Sequence, residues 1–195
     1  MKMDDDFVYA PSEDSYLLFK AIDYARGDVL DMCTGSGIIG ISAAKKADSV
    51  ILVDINKKCV DYVSKMIISL GIKNAKAIKS DLFSAIGKAR FDVIFCNPPY
   101  LPGKPKKNDL LDTATCGGKT GCEFTIKFLG LAVKHLKKDG RIFFIMSTLG
   151  NPEKIYKASK SLNLDLKTLG TKEFFFEKLI LVEAHEKSRH SSGRG

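Results

Sequence analysis

Short apolar runs alternate along this chain with longer segments of helical spacing, and few folds accommodate that alternation. The runs at Asp28–Met32, Val50–Asp54, Ala75–Ser80, Phe91–Cys96 and Arg141–Ser147 have the length of strands covered on both faces. Between them, Ile38–Lys46, Lys57–Leu70 and Glu123–Lys138 repeat apolar residues at helical intervals. Gly71 ends the second of these and Asp139-Gly140 the third. Strand, helix and strand in succession build βαβ units, so an α/β fold with a mostly parallel sheet is expected. After a helix at Pro152–Ser161, the runs Leu164–Leu169 and Leu179–His185 follow one another with no helix between. They are expected to pair antiparallel at one edge of the sheet.

Length and composition narrow the class. With 195 residues, one domain over 1–186 is expected, and the polar Gly/Ser-rich stretch 187–195 reads as a disordered tail. No apolar run approaches the roughly 20 residues that cross a bilayer. The opening Met1-Lys2-Met3-Asp4-Asp5-Asp6 lacks the apolar stretch of a signal peptide, so no membrane contact and a cytoplasmic location are expected. The 5 cysteines include no C-x-x-C pair, which favours free thiols over a disulfide framework. No metal site is expected, since Cys116 and Cys122 have no histidine near them in the chain. The net charge of +8 favours acidic partners, nucleic acid first among them. One stretch, Leu101 to Cys122, breaks the rhythm with prolines, glycines and lysines, and loops of that kind are functional or disordered.

The first chemical motif is Val29-Leu30-Asp31-Met32-Cys33-Thr34-Gly35-Ser36-Gly37, a strand running into a Gly-rich turn and then a helix. Gly35, Gly37 and Gly40 satisfy G-x-G-x-x-G, so a dinucleotide site has to be considered. Asp31 discriminates. A carboxylate at that strand end would repel a pyrophosphate and attract a cationic sulfonium bearing an ammonium group. Asp54, at the end of the second strand, can accept from both hydroxyls of a ribose. Asp81, after the third, can accept from an adenine amino group, with Leu82 beside the ring. Ligands of open α/β sheets bind beyond the carboxyl ends of the strands, where these three acids stand.

The fourth strand ends in Asn97-Pro98-Pro99-Tyr100. The Asn97 side-chain carbonyl and the Pro98 main-chain carbonyl can both accept from one NH₂ group and direct its nitrogen at a methyl carbon. Two prolines hold those acceptors in place before a substrate arrives. Tyr100 offers a face on which a planar amide or base can stack. Asn97, Pro98 and Tyr100 are thus the candidate catalytic residues, with Pro99 a further substrate contact.

The Gly-rich turn followed by Asn97-Pro98-Pro99-Tyr100 resembles the amino-methyltransferases of the class I, Rossmann-like, seven-stranded S-adenosylmethionine fold. More narrowly, the chain resembles the HemK-like N5-glutamine methyltransferases of peptide-chain release factors, in their short archaeal and eukaryotic branch. Tyr9-Ala10-Pro11-Ser12-Glu13-Asp14-Ser15 is similar to that branch's opening segment, and Gly117-Gly118-Lys119-Thr120-Gly121 to a glycine motif of its substrate loop. Two positions differ: Cys33 stands where such turns often have their first glycine, and Ala10 where an acidic residue is expected. The resemblance implies S-adenosylmethionine as cofactor, held by Ser15, Asp31, Cys33, Gly35, Gly37, Asp54, Ile55, Asp81, Leu82 and Asn97. It implies a release factor as substrate and a small zinc-binding activator that adds to a sheet edge, giving a heterodimer. Asp48 to Val53 is the candidate edge if the strand order places an edge near it. A nucleic-acid amino-methyltransferase comes second, because the same motif suits an adenine or guanine NH₂. A protein lysine methyltransferase comes third and a non-enzymatic scaffold last.

Overall fold

In a computed structural model, which describes residues 11–104 and 114–187, every expected apolar run lies in a strand. These are β1 (Asp28–Met32), β2 (Ser49–Asp54), β3 (Ala75–Lys79) and β4 (Phe91–Cys96), then two short strands, β5 (Leu101–Pro102) and β6 (Cys116–Gly118). β7 (Leu136–Ser147), β8 (Leu164–Glu173) and β9 (Lys178–Glu186) complete them. Seven form one sheet in the order β3-β2-β1-β4-β7-β9-β8. Pairing is parallel from β3 to β7, and β9 runs antiparallel between β7 and β8. The antiparallel hairpin expected at one edge is therefore present, with β8 outermost.

Side chains alternate across the sheet and sort the helices into two layers. Val29, Val50, Leu52, Val93, Phe95 and Phe143 face α1 (Glu13–Phe19), α2 (Ile38–Ala43) and α3 (Lys57–Ser69). Leu30, Met32, Ile94, Phe144 and Met146 face α4 (Glu123–Ala132) and α5 (Pro152–Ser161). Phe91, Phe95, Phe128, Phe143 and Phe144 are fully buried. Each such side chain contributes about 1.5–3 kcal/mol relative to exposure. α3 presents Cys59, Val60, Val63 and Ile67 inward, one stripe of a 3.6-residue repeat, and Asn56 caps it by accepting from the Lys58 amide at 3.0 Å. α2 lies so close to β2 that a Cβ on Gly40 would fall 2.3 Å from Leu52 Cδ2. Only glycine permits that approach.

Four expectations need correction. β2 is not an edge: it lies between β1 and β3, and the outer strand on that side is β3. The helix expected to reach Lys138 ends at Ala132, and Leu136 to Gly140 belong to β7. There Leu136 pairs with Phe91 and is buried, while Lys137 reaches Asp28 and Asp92; those long-range contacts outweigh local helical spacing. Glu13–Phe19, part of an opening segment with no assigned element, forms a helix. Within Leu101 to Cys122, β5 and β6 pair in parallel. Of the expected tail, Lys187 is tied to Asn163 and Asp165. The rest of it, with Tyr9, Ala10 and residues 105–113 of the long loop, lies outside the described residues.

At the amino-terminal end of the sheet, Lys137 Nζ donates to Asp28 at 2.6 Å and to Asp92 at 2.8 Å. This three-residue clamp joins β1, β4 and β7. Hydrogen bonds from Lys137 and Ser49 hold the Asp28 carboxyl below the usual carboxylate range. Asp92 is also lowered: burial opposes this, but bonds from Lys137 and the Asp28 amide prevail.

Candidate active site

The site is built where β1 stops. Beyond Met32 the chain turns through Cys33, Gly35 and Gly37, all left-handed, with φ of 59°, 52° and 81°. Cys33 therefore takes the backbone conformation that the expected glycine would take freely, at a cost on the order of 1–3 kcal/mol. The turn is held by the Thr34 amide on the Val53 carbonyl and the Gly37 amide on the Thr34 carbonyl. Gly37 then caps α2, and a Cβ there would meet Val63.

Asp31 lies under this turn with 2% of its surface exposed. Its Oδ2 accepts from Thr34 Oγ1 at 2.6 Å and from the Gly40 amide at 2.8 Å. Burial pushes its pKa up to about 7, helped by the Asp54 charge and opposed by those two bonds. Asp54 Oδ2 accepts from the Gly35 amide at 3.0 Å and Oδ1 from the Asn56 amide at 2.9 Å, and burial raises its pKa too. Among the described residues no lysine, arginine or histidine forms an ion pair with either acid. Two neighbouring carboxylates without a cation make a site for a positively charged ligand.

A cleft opens beside Asp31, lined by Ser15 and Leu18 of α1, by Asp31, Cys33 and Gly35, and by Asn97. The Asn97 Oδ1 atom is buried and finds no hydrogen-bond donor among the described residues. A buried acceptor without a partner is costly and uncommon, and it points to a donor brought by a ligand. Pro98 and Pro99 are buried behind it. The backbone of this segment is packed tightly by the glycine motif: a Cβ on Gly117 would fall 2.6 Å from the Pro99 carbonyl oxygen, and one on Gly121 would fall 2.4 Å from that of Tyr100. The Tyr100 hydroxyl donates to Asp14 Oδ2 at 3.3 Å, and its ring packs on the β1–β4 core layer.

The structure thus brings Ser15, Asp31, Cys33, Gly35 and Asn97 to one cleft, with Asp54 bonded to its turn. Asp81 stands apart: its side chain is 60% exposed and lies 3.8 Å from Lys127. Leu82 turns into the core with φ of 48°, and Ile55 is exposed beyond Asp54. Sequence reasoning missed two supporting residues. Buried Asp14 accepts from Ser12 Oγ, the Ser15 amide and Tyr100, joining α1 to the Asn-Pro-Pro-Tyr segment. Thr34 orients the Asp31 carboxyl. Both lie inside motifs already singled out, but their partners are distant in the chain or reached only around a tight turn.

Comparison with known proteins gives this geometry a family. The profile described as "Methyltransferase small domain" matches residues 13–168. The chain belongs to that family. Within it the chain is a HemK-like, S-adenosylmethionine-dependent N-methyltransferase. It is 35% identical over 181 residues to a Methanocaldococcus jannaschii protein provisionally named a protein N5-glutamine methyltransferase, covering 91% of each. It is 40% identical over 90 residues to the release factor glutamine methyltransferase of Leptospira interrogans, covering 44% of this chain and 32% of that one. The Mtq2–Trm112 complex of E. cuniculi, responsible for methylating the translation termination factor eRF1, superposes with a TM-score of 0.72 at 20% identity, covering 92% of this chain and 99% of that one. That likeness shows the class I methyltransferase fold.

The residues of this methyltransferase fit its cofactor. The uncompensated acids Asp31 and Asp54 suit a ligand carrying a sulfonium and an ammonium, and the turn residues Cys33 and Gly35 line the cleft together with Asp31. Among the described residues no helix is long and apolar enough to cross a membrane.

Proposed function

We propose that this methyltransferase modifies the side-chain nitrogen of a glutamine in the Gly-Gly-Gln segment of a peptide-chain release factor. The observation that carries this reading is the buried, unpaired Asn97 Oδ1 at the cleft wall. An amide NH₂ is the donor that would satisfy it, with the Pro98 carbonyl as second acceptor and Tyr100 beside the amide plane. The names of relatives that methylate release-factor glutamines support the substrate.

S-adenosylmethionine, when bound, supplies a methyl group on a positively charged sulfur. Asp31 and Asp54, with Ser15 and the turn at Cys33, Gly35 and Gly37, hold the cofactor at the strand ends; Ile55, Asp81 and Leu82 complete the proposed contact set. Asn97 stands between cofactor and substrate. An amide nitrogen is a weak nucleophile because its lone pair is delocalised. Acceptors on its hydrogens bind more strongly as positive charge develops on nitrogen, and so favour the transition state over the ground state. Buried Pro98 and Pro99 keep those acceptors in place, which contributes through orientation.

A small zinc-binding activator is part of the same reading, supported by the Mtq2–Trm112 complex. Its docking strand would add to β3, whose outer side no other strand covers among the described residues. Co-expression with such a protein should yield a soluble heterodimer, and no complex would remove the partner. The reading puts the enzyme's work in the cytoplasm, on a single domain over residues 1–186.

The test is methyl transfer from labelled S-adenosylmethionine to a purified release factor, and to RNA and DNA in parallel. Label on the Gly-Gly-Gln glutamine, lost with Asn97→Ala, supports the proposal. Label confined to nucleic acid overturns the substrate and selects the adenine or guanine alternative.

A further inference from the structure

The β8–β9 hairpin ends in three consecutive phenylalanines. Phe175 and Phe176 are 91% and 83% exposed and Phe174 is 43% exposed, with the outer two rings edge to face at 4.5 Å. Phe174 donates its amide to the Glu177 carbonyl at 2.7 Å, so Phe175 and Phe176 fill the middle of a tight turn. Such positions ordinarily take Gly, Asn, Asp or Pro. Neither phenylalanine has a positive φ, and turn geometry gives no reason for an aromatic at either place.

The tip is held firmly. Glu173 and Lys178 pair across its base at 2.6 Å, Ser147 Oγ donates to Glu177 at 2.6 Å, and the Lys178 amide donates to Thr148 Oγ1 at 2.9 Å. It is also tied to the methyl-transfer site on two sides. Gly150, at the end of the same 147–150 turn, packs against the Tyr100 carbonyl, and Lys172 pairs with Glu13 beside Asp14 and Ser15. Ser147 pairs with Leu179, so the tip projects from the carboxyl end of the parallel strands, where Asp31, Asp54 and Asn97 stand. At about 3.3 Å per residue it rises roughly 20 Å past the level of Cys96.

We infer that Phe174, Phe175 and Phe176 form the surface on which this enzyme docks its methyl-accepting protein. The inference rests on the protein-substrate reading above. A macromolecule whose side chain reaches Asn97 must cover this end of the sheet, and the tip stands in its path. A rigid, exposed aromatic cluster is the kind of anchor that carries binding energy when an apolar pocket of a partner closes over it. Glu173 and Glu177 balance Lys172 and Lys178 around the tip, so it carries no net positive charge to attract a phosphate backbone, and its apolar rings suit a protein surface.

The experiment compares wild type with the double variant F175S/F176S and the conservative F175W/F176W, using a whole release factor as acceptor. With the serines, KM for the factor rises about tenfold or more, while kcat at saturation, the Kd for S-adenosylmethionine and the melting temperature stay unchanged. The tryptophans keep KM near wild type. An unchanged KM in the serine variant overturns the docking role, as does a loss confined to kcat. Wild type that modifies RNA or DNA and not the factor overturns the substrate reading first, a result visible before any variant is made.

Discussion

The neighbouring parallel strands β1, β2 and β4 carry polar side chains at both ends and treat them in opposite ways. At the amino-terminal end Asp28 and Asp92 share Lys137, both lie below the ordinary carboxylate range, and each acid has a cationic partner within the protein. At the carboxyl end Asp31 and Asp54 are raised by burial and no described cation pairs with them, while Asn97 Oδ1 has no donor. One end of the sheet satisfies itself; the other leaves its polar groups for a ligand to satisfy. Function therefore costs stability locally, and the clamp at the far end offsets part of that cost.

Substitutions can break or sharpen this contrast. The largest effect is expected from Asn97→Ala, with kcat for the amide acceptor down about 10²–10³-fold, the range seen when one preorganised hydrogen-bonding group is removed from a catalytic site. Single-turnover assays would measure it, and a variant with full kcat would show that the orphan acceptor does not meet the reacting amide.

Next is Asp31→Asn. Removing one member of a buried charge pair costs about 2–5 kcal/mol, so the Kd for S-adenosylmethionine should rise about 30-fold or more by titration calorimetry. The melting temperature of the cofactor-free protein should hold or rise, since a desolvated carboxylate has gone. Weaker binding together with a lower melting temperature would make Asp31 a structural residue like Asp28.

The two ends should also titrate in opposite directions. Asp31 is raised from 3.8 to about 7. In the cofactor-free protein it penalises folding as pH climbs through that window, because the folded state holds a proton that the unfolded chain has released. A cationic cofactor requires the ionised form, so its affinity should rise roughly tenfold per pH unit below about 7 and then level off, with one proton released on binding at pH 6. Asp28 and Asp92 have lowered values, so their contribution to stability is present above the ordinary carboxylate pKa and is lost as pH falls through their folded values. Calorimetry in buffers of different ionisation enthalpy separates the two; binding without proton release at pH 6 contradicts the raised value.

The smallest effect is expected from Lys137→Met. It should lower the melting temperature at neutral pH, where Asp28 and Asp92 would face each other without their cation, and leave cofactor affinity unchanged. A changed affinity would mean that the two ends are coupled through the sheet.

Much of the site was legible in the sequence because its parts lie in short local motifs. Asp31, Cys33 and Gly35 fall within one strand–turn unit and Asn97 follows one strand, so reading strand ends was enough to bring them together. Asp81 also sits at a strand end, but its side chain is 60% exposed and lies 3.8 Å from Lys127 of α4, a neighbour distant in the chain that local reading could not supply. The glycines at 117 and 121 could be seen as a motif, but that they press on the backbone of Pro99 and Tyr100 depends on a loop folding back.

The fold divides along the same line. The alternation of strands and helices and the closing antiparallel hairpin are written in local periodicity, because burying one face or both leaves a repeat of 2 or 3.6 residues in the chain. Which strand is outermost left only a faint local trace. β2 runs Val-Ile-Leu-Val through its middle, whereas β3, Ala-Lys-Ala-Ile-Lys, carries two lysines as edge strands do, but only the crossover of the chain over the sheet places β3 at the edge. The fate of Leu136 to Gly140 was likewise decided by tertiary contacts, since pairing Lys137 with two acids outweighs a helical pattern of marginal strength. The charge state of Asp31 is a further case. Its identity is read directly from the chain, but its pKa near 7 exists only once α1, α2 and the turn exclude water from it.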